Sequence, residues 1–284
     1  MFLDNLDHYR AGEPRRIVVD KGRGCRARGY WYSPEHMIDL RKLAQSRTPI
    51  LNGWLSIPSS VVAEVMARQG FHSICIDMQH GLIDYGDCVP MLQAIGQTTA
   101  APLVRVPSQE PAMMMKVLDA GAAGVIVPLV DNLRQAATAV AACRYPPQGR
   151  RSFGPTRAAL VAGSDYHLSA NYDILVFAMI ETVDGLANLQ EIVCTPGLDG
   201  IYIGPSDLSY ALGLPPRMDN DHPDHLAAVE LILNSCREQS LIVGIHTADP
   251  EFAQGALQRG ADMVTIATDI ACMRQEAQRR LSYF

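Results

Sequence analysis

The sequence predicts an α/β fold in which eight parallel strands alternate with helices and close into one barrel, the TIM barrel. Eight short runs rich in β-branched residues recur between positions 50 and 267, with helical segments between them. The chain has 284 residues, a length that a single barrel domain can occupy. A doubly wound open sheet is the structural alternative, but neither GxGxxG nor GxxxxGK[ST] occurs in the sequence. These observations favour the barrel.

The predicted elements follow in order along the chain. The strands are Ile50–Ser56, Ser73–Met78, Pro102–Val106, Gly124–Pro128, Ile174–Glu181, Gly200–Gly204, Leu241–His246 and Met263–Ala267. Ser59 and Ser60 introduce the helix after the first strand, and a later helix begins at Asp249 and ends before Gly260. We expect the first of these helices to bury its apolar side chains, Val61, Val62, Val65 and Met66.

Two segments depart from this rhythm. Residues 1–36 are rich in arginine and glycine without an apolar period, which indicates a poorly ordered extension or an interface arm. The barrel domain is therefore assigned to residues 37–284. The connection from Arg144 to Asp173 is long for a compact domain, so we expect a functional loop or a contact between subunits there.

Composition excludes several classes of protein. Hydrophobic residues make up 48% of the chain and the formal net charge is −6, which is typical of a globular protein and disfavours a nucleic-acid partner. No apolar run approaches the roughly 18 residues that a membrane-spanning helix needs. Seven cysteines without CxxC spacing, and an N-terminus without a secretory h-region, predict free thiols and a cytoplasmic protein.

Active groups of such barrels lie at the carboxyl ends of the strands, and several strands here end in polar residues. Glu181 and Asp207 follow neighbouring strands and supply the hard oxygen ligands that Mg²⁺ or Mn²⁺ prefers. Paired carboxylates for acid/base chemistry, or capping and salt-bridged residues, are the alternatives. Arg105 offers a positive charge to a developing oxyanion, or else an ion pair to Asp77 or Glu181. His80, three residues after Asp77, suits a base oriented by a carboxylate, or else a structural histidine.

With these residues assembled, the chain from about Met37 onward resembles the HpcH/HpaI aldolase family of metal-dependent barrel enzymes. The segments that carry the resemblance are LNGWLSIPSS, SICIDMQHG, PLVRVP, KVLDAGAAGVIVP, YPPQGRRSFGPTRA, MIETVDG and GLDGIYIGPSDLS. Their order and spacing match across nearly the whole barrel, which is more specific than any one motif.

The resemblance implies a set of site residues. Glu181 and Asp207 would hold a divalent metal (Mg²⁺, Mn²⁺ or Co²⁺), and Arg105 would lie beside the keto oxygen of a 2-oxo acid. Asp77 and His80 would form an acid/base dyad. The turn formed by Gly204, Pro205, Ser206 and Asp207 would hold the substrate carboxylate through backbone N–H groups, and the remaining implied substrate contacts are Trp54, Gln79 and His246.

The resemblance also implies an assembly. Asp119 would be contributed to the site of a neighbouring subunit, the C-terminal helix would be swapped between subunits, and the expected assembly is a homohexamer. Three departures bear on the aldehyde preference: Gln79 replaces a glutamate, Met179 stands where a glutamine is frequent, and His246 replaces an apolar residue.

The implied reaction is reversible cleavage of a 4-hydroxy-2-oxo acid, such as a 2-keto-3-deoxy sugar acid or 4-hydroxy-2-oxoheptanedioate, to pyruvate and an aldehyde. Two alternatives stay open at this point. One is a related barrel lyase that acts on a CoA thioester or a malate-like substrate. The other is a non-catalytic metabolite-binding protein.

Overall fold

A computed structural model describes residues 37–284 of the protein. Eight parallel strands form a closed barrel in sequential order, which confirms the predicted TIM barrel. Each strand begins and ends within about one residue of its predicted bounds. The strands are β1 (Ile50–Leu55), β2 (Ser73–Asp77), β3 (Ala101–Arg105), β4 (Gly124–Val127), β5 (Leu175–Ile180), β6 (Gly200–Ile203), β7 (Ile242–His246) and β8 (Met263–Thr268). The extension predicted for residues 1–36 lies outside the described residues.

Helices of the described residues connect the strands. They are α1 (Leu40–Gln45), α2 (Ser60–Ala67), α3 (Tyr85–Ile95), α4 (Pro111–Asp119), α5 (Leu133–Cys143), α6 (Thr156–Ala162), α7 (Tyr166–Asp173), α8 (Val183–Ala187), α9 (Leu189–Val193), α10 (Pro205–Ala211), α11 (Pro223–Glu238), α12 (Pro250–Arg259) and α13 (Asp269–Leu281). The capping prediction for α12 is confirmed, because Asp249 accepts hydrogen bonds from two N–H groups of the first turn and Gly260 is left-handed. None of these helices is long and apolar enough to cross a bilayer.

Strand alternation separates two hydrophobic cores. Side chains on one face of the strands fill the barrel, among them Ile50, Trp54, Phe177, Tyr202 and Ile242. The other face packs against the helices in a larger cluster. Because every second residue of a strand points inward, polar residues at the inward positions of the carboxyl ends converge at the barrel mouth.

Our prediction for the buried face of α2 was wrong at two positions. Val61 and Val65 are 68% and 56% exposed, whereas Ala63, Met66 and Ala67 are buried. The buried stripe therefore follows positions i, i+3 and i+4 from Ala63. Its alanines allow close packing on the barrel, and the two valines point away from it.

The long connection from Arg144 to Asp173 contains α6 and α7 rather than an extended loop. Tyr145, Ala158, Tyr166 and Ala170 form a small core of their own within it. Along the C-terminal helix α13, in contrast, Asp269 is the one buried residue. Its exchange between subunits stays a prediction, since the structure describes a single chain.

Candidate active site

The carboxyl ends of β2 and β3 carry a buried ion pair. Arg105 donates through Nε to Oδ1 of Asp77 at 2.8 Å and through Nη2 to Oδ2 at 2.6 Å. The indole Nε1 of Trp54 donates to the same Oδ2 at 3.2 Å, and the guanidinium lies 4.9 Å from the centre of the indole ring. Burial alone would raise the pKa of Asp77, but the Arg105 hydrogen bonds and charge lower it below its usual value. Asp77 is therefore a fixed carboxylate.

The contact between Asp77 and His80 differs from the predicted dyad. The backbone N–H of His80 donates to Oδ1 of Asp77 at 3.2 Å, and the backbone N–H of Gln79 donates to the same oxygen at 3.0 Å. The His80 side chain is exposed, and no hydrogen bond from its ring to Asp77 occurs in this structure. Asp77 is occupied by Arg105 and the turn, so it does not orient the imidazole here. Oε1 of Gln79 is buried without a partner among the described residues.

Glu181 directly follows β5 and is 2% exposed. Its Oε1 accepts a hydrogen bond of 2.8 Å from the backbone N–H of Leu129. Its Oε2 lies against Gly204, where a Cβ would find no space. Burial, with a smaller contribution from the charge of Asp207, raises the pKa of Glu181 to about 7. A buried carboxylate beside a second carboxylate is a place where bound positive charge is favourable.

Asp207 lies in the first turn of α10, after Gly204 as its N-cap and Pro205. Gly204 and Pro205 are buried, Ser206 is half-buried and Asp207 is exposed. The first intrahelical bond runs from Leu208 N to Gly204 O, so the N–H groups of Ser206 and Asp207 precede it. The structure thus brings Asp207 and this turn to the same rim as Glu181.

His246 is the last residue of β7 and points into the barrel mouth. Its ring makes an edge contact with Trp54, with 4.8 Å between ring centres. Burial and the nearby charge of Arg105 lower the pKa of His246 to about 4, so the ring is neutral at pH 7. Nε2 is buried without a hydrogen-bond partner among the described residues.

Asp119 does not join this cluster. It ends α4, the end that leads into the amino terminus of β4, and its Oδ1 accepts a hydrogen bond of 2.8 Å from the buried Arg151. Burial raises its pKa although Arg151 opposes the shift. Within this chain Asp119 lies toward the opposite rim of the barrel, and its predicted role in a neighbouring subunit stays a prediction.

The donor set limits what kind of metal site this rim can form. No group of three or more His, Cys, Asp or Glu side chains suited to a metal occurs in residues 37–284. Two carboxylates, Glu181 and Asp207, fit a hard cation that keeps its remaining positions for water and substrate oxygens, as Mg²⁺ does. The raised pKa of Glu181 and its free Oε2 agree with this use.

Two residues that shape the site were not predicted from the sequence. Leu129 supplies the N–H that binds Glu181, and it has a left-handed backbone with φ of 56°. The side-chain amide of Gln109 donates to the carbonyls of Pro128 and Leu129. Nothing in the sequence marks a leucine for a left-handed conformation or a glutamine for a backbone contact, so no signal was available.

A closed α/β barrel with an Arg–Asp pair and two carboxylates at its carboxyl rim defines an enzyme of the TIM-barrel class. Residues 53–275 match the family described as HpcH/HpaI aldolase/citrate lyase. The chain belongs to this family.

Named relatives agree with the assignment. The chain is 40% identical over 231 residues to the hydroxypyruvate/pyruvate aldolase of Rhizorhabdus wittichii, covering 81% of this chain and 92% of that protein. It is 36% identical over 234 residues to the 2-dehydro-3,6-dideoxy-6-sulfogluconate aldolase of Pseudomonas putida, covering 81% and 91%. The crystal structure of a family protein from Burkholderia cenocepacia superposes with a TM-score of 0.80 at 30% identity, covering 86% and 97%. The chain is thus an aldolase, a carbon–carbon lyase.

Proposed function

We propose that the protein catalyses the reversible, divalent-metal-dependent cleavage of a 4-hydroxy-2-oxo acid to pyruvate and an aldehyde. The observation that carries this proposal is the buried Glu181 carboxyl, with its raised pKa, beside Asp207 at the barrel mouth. The similar proteins named above act, by their names, on hydroxypyruvate, pyruvate and a deoxy sugar acid. All of these compounds carry a carboxylate, which this rim would bind.

The reaction requires removal of the C4 hydroxyl proton. The C3–C4 bond then breaks, the aldehyde leaves, and the electron pair remains on a pyruvate enolate that takes a proton at C3. We assign the proton exchange to the exposed imidazole of His80. Arg105, locked by two hydrogen bonds to Asp77, would place its remaining N–H groups beside the enolate oxygen without reorganising.

Glu181 and Asp207 would hold the cation, which when bound supplies Lewis-acid stabilisation of negative charge on the 2-oxo acid. Gly204 lets Oε2 of Glu181 approach the backbone that leads into α10. The free N–H groups of Ser206 and Asp207 would bind the substrate carboxylate. These are the roles that the unsatisfied groups of the rim allow.

The aldehyde side of the substrate would meet Gln79, Trp54 and His246. Oε1 of Gln79 and Nε2 of His246 are both buried without partners among the described residues, and such atoms favour a ligand that supplies hydrogen bonds. We therefore propose that the aldehyde carries hydroxyl groups. A panel of aldehydes with and without hydroxyls, each tested with pyruvate, checks this preference.

The proposal is tested by exhaustive EDTA treatment followed by addition of Mg²⁺, Mn²⁺ or Co²⁺. We expect pyruvate release from a 4-hydroxy-2-oxo acid to disappear and then to return with the metal. Activity that survives chelation would reject the metal. Cleavage of CoA thioesters in place of simple hydroxyoxo acids would favour the related lyase reaction instead.

We further propose that the protein is a homo-oligomer, with a hexamer as the expected size, in which α13 contacts another subunit and Asp119 completes a neighbour's site. The apolar side chains Ile270, Met273 and Leu281 of α13 are 45%, 53% and 72% exposed in the single chain. Exposed apolar side chains on one helix favour an association site. Light scattering of the purified protein measures the assembly.

We also propose that the protein works in the cytoplasm. The described cysteines are all free thiols, and four of them are buried. Thiols in this state are typical of a reducing compartment. Fractionation of cells that produce the protein tests the location.

A further inference from the structure

Three residues other than glycine have a left-handed backbone in the described part of the chain: Arg47, Leu129 and Ser240. Arg47 and Ser240 come just after helices α1 and α11, where a left-handed residue commonly ends a helix. Leu129 follows β4 and ends no helix. Its conformation is disfavoured for a residue with a branched side chain, so the surrounding structure must hold it in place.

Contacts on both sides hold the turn at Leu129. The side-chain amide of Gln109 donates to the carbonyl of Pro128 at 3.2 Å and to the carbonyl of Leu129. On the far side, Thr182 donates to the carboxylate of Asp131, and Asn188 donates to the Asp131 carbonyl at 2.8 Å. The turn after β4 is therefore fixed to the loops that follow β3 and β5.

This conformation has one consequence at the rim. It aims the N–H of Leu129 at Oε1 of Glu181, at 2.8 Å. The backbone N–H of Leu129, and not its side chain, makes the hydrogen bond with Glu181, and the residue is 47% exposed. With Oε1 occupied, Oε2 is the oxygen of Glu181 that stays available at the rim.

We propose that Gln109 is a positioning residue that holds Leu129 in its left-handed backbone conformation. The Leu129 N–H then occupies Oε1 of Glu181, so that only Oε2 is presented to a divalent cation. This proposal rests on the proposed function, because it concerns the cation that Glu181 and Asp207 would share. Gln109 acts through the backbone, because its side-chain amide donates to the carbonyls of Pro128 and Leu129 and the N–H of Leu129 donates to Glu181. Partners of this kind orient a metal ligand, and their loss typically weakens metal affinity about 10- to 100-fold.

The test is a calorimetric titration of the full-length, EDTA-treated protein with Mn²⁺. Gln109→Glu keeps the size of the side chain and removes the N–H donor, so we expect about tenfold weaker Mn²⁺ binding. Ser108→Ala is the matched control, because it removes a hydrogen bond to the Glu110 N–H in the same loop without touching Leu129. The control should bind Mn²⁺ as the unchanged chain does.

Urea unfolding of the metal-free variants separates positioning from a general structural role. A lower urea midpoint for Gln109→Glu with unchanged Mn²⁺ affinity would overturn the proposal. Gln109→Ala provides a second variant if the glutamate prevents folding. Failure of the unchanged chain to bind Mn²⁺ would overturn the proposed metal site together with this inference, whereas equal binding by the unchanged chain and Gln109→Glu would overturn the inference alone.

Substitutions at Leu129 test the backbone conformation independently. Glycine accepts a positive φ without strain, and a β-branched residue resists it strongly. Leu129→Val, although closer in size, should therefore weaken Mn²⁺ binding more than Leu129→Gly does. The opposite ranking would show that the leucine side chain, and not its backbone, supports Glu181.

Discussion

The two ends of the barrel each bury carboxylates, but they use them differently. At the amino end, Asp199 receives hydrogen bonds from Arg41 at 2.8 Å, Arg144 at 2.6 Å and the N–H of Val176 at 2.7 Å. At the carboxyl end, Glu181 receives one bond on one oxygen and faces a second carboxylate, Asp207.

The difference separates a carboxylate that links structural elements from one for which we propose a function. Three donors, two of them cationic, surround Asp199, so this group links α1, α5 and the start of β5. Glu181 accepts one hydrogen bond and forms no ion pair among the described residues. Burial and the charge of Asp207 raise its pKa to about 7, although the charge of Arg105 opposes the shift. A buried carboxylate with a raised pKa at this rim supports the binding role that we propose for Glu181.

Glu181→Gln tests the difference between the two carboxylates and should have the largest effect. We expect kcat/KM for aldol cleavage to fall about 10³-fold, because the rim loses the buried carboxylate that we propose as a metal ligand. The free energy of unfolding should stay equal or rise, since the amide keeps the shape and removes an unfavourable buried charge. Steady-state kinetics and urea unfolding measure the two effects. Substantial retained activity would remove Glu181 from the reaction.

Asp199→Asn should show the reverse behaviour. Removing this charge leaves the buried Arg144 without its carboxylate, so we expect a loss of about 3–5 kcal/mol in the free energy of unfolding. The folded fraction should keep its kcat/KM. Asp39→Asn, at the exposed pair with Lys42, is the control and should change stability by less than about 1 kcal/mol. Equal effects of the two variants would contradict a structural role for Asp199.

The pH dependence of stability tests whether His246 is buried as a neutral ring. Its folded pKa of about 4 lies below the unfolded value of 6.5, so its contribution is fully present above pH 6.5. As the pH falls from 6.5 to 4, His246 becomes protonated in the unfolded chain but stays neutral in the folded chain. The free energy of unfolding therefore falls by about 3 kcal/mol. His246→Leu should lack this part of the slope in urea unfolding between pH 4 and pH 7. Parallel slopes for the two proteins would mean that His246 is accessible to protons when folded.

Arg105→Lys tests whether the geometry of the cation matters as well as its charge. Lysine keeps the positive charge but cannot form the paired hydrogen bonds to Asp77 or hold a fixed plane beside Trp54. We expect kcat to fall about 10²-fold, with a smaller change in KM for the hydroxyoxo acid. A normal kcat would show that charge alone suffices.

Much of the fold could be predicted because its signals are local. Strand alternation and helix caps such as Asp249 depend on neighbouring residues, and the structure confirms them. The exposed face of α2 could not be predicted, because Val61 and Val65 satisfy a helical period as well as Ala63 does. Packing against the barrel decides which stripe is buried.

The site likewise has parts that the sequence predicts and parts that depend on tertiary packing. Asp77, Arg105, Glu181 and His246 could be placed at the barrel mouth, since strand ends converge there. Their pairing depends on side-chain rotamers and competing partners. The sequence left the ion pair of Arg105 with Asp77 open as an alternative, and it could not show that this pair would leave Asp77 without a bond to the imidazole of His80. The left-handed Leu129 is set by tertiary contacts and has no local sequence signal.

Titration of the EDTA-treated protein with Mn²⁺ in a calorimeter is the decisive test of the proposed metal site. We predict that each chain binds one ion, that Glu181→Gln loses this binding, and that Asp199→Asn keeps it. Binding that persists in Glu181→Gln, or no binding by the unchanged chain, would contradict it.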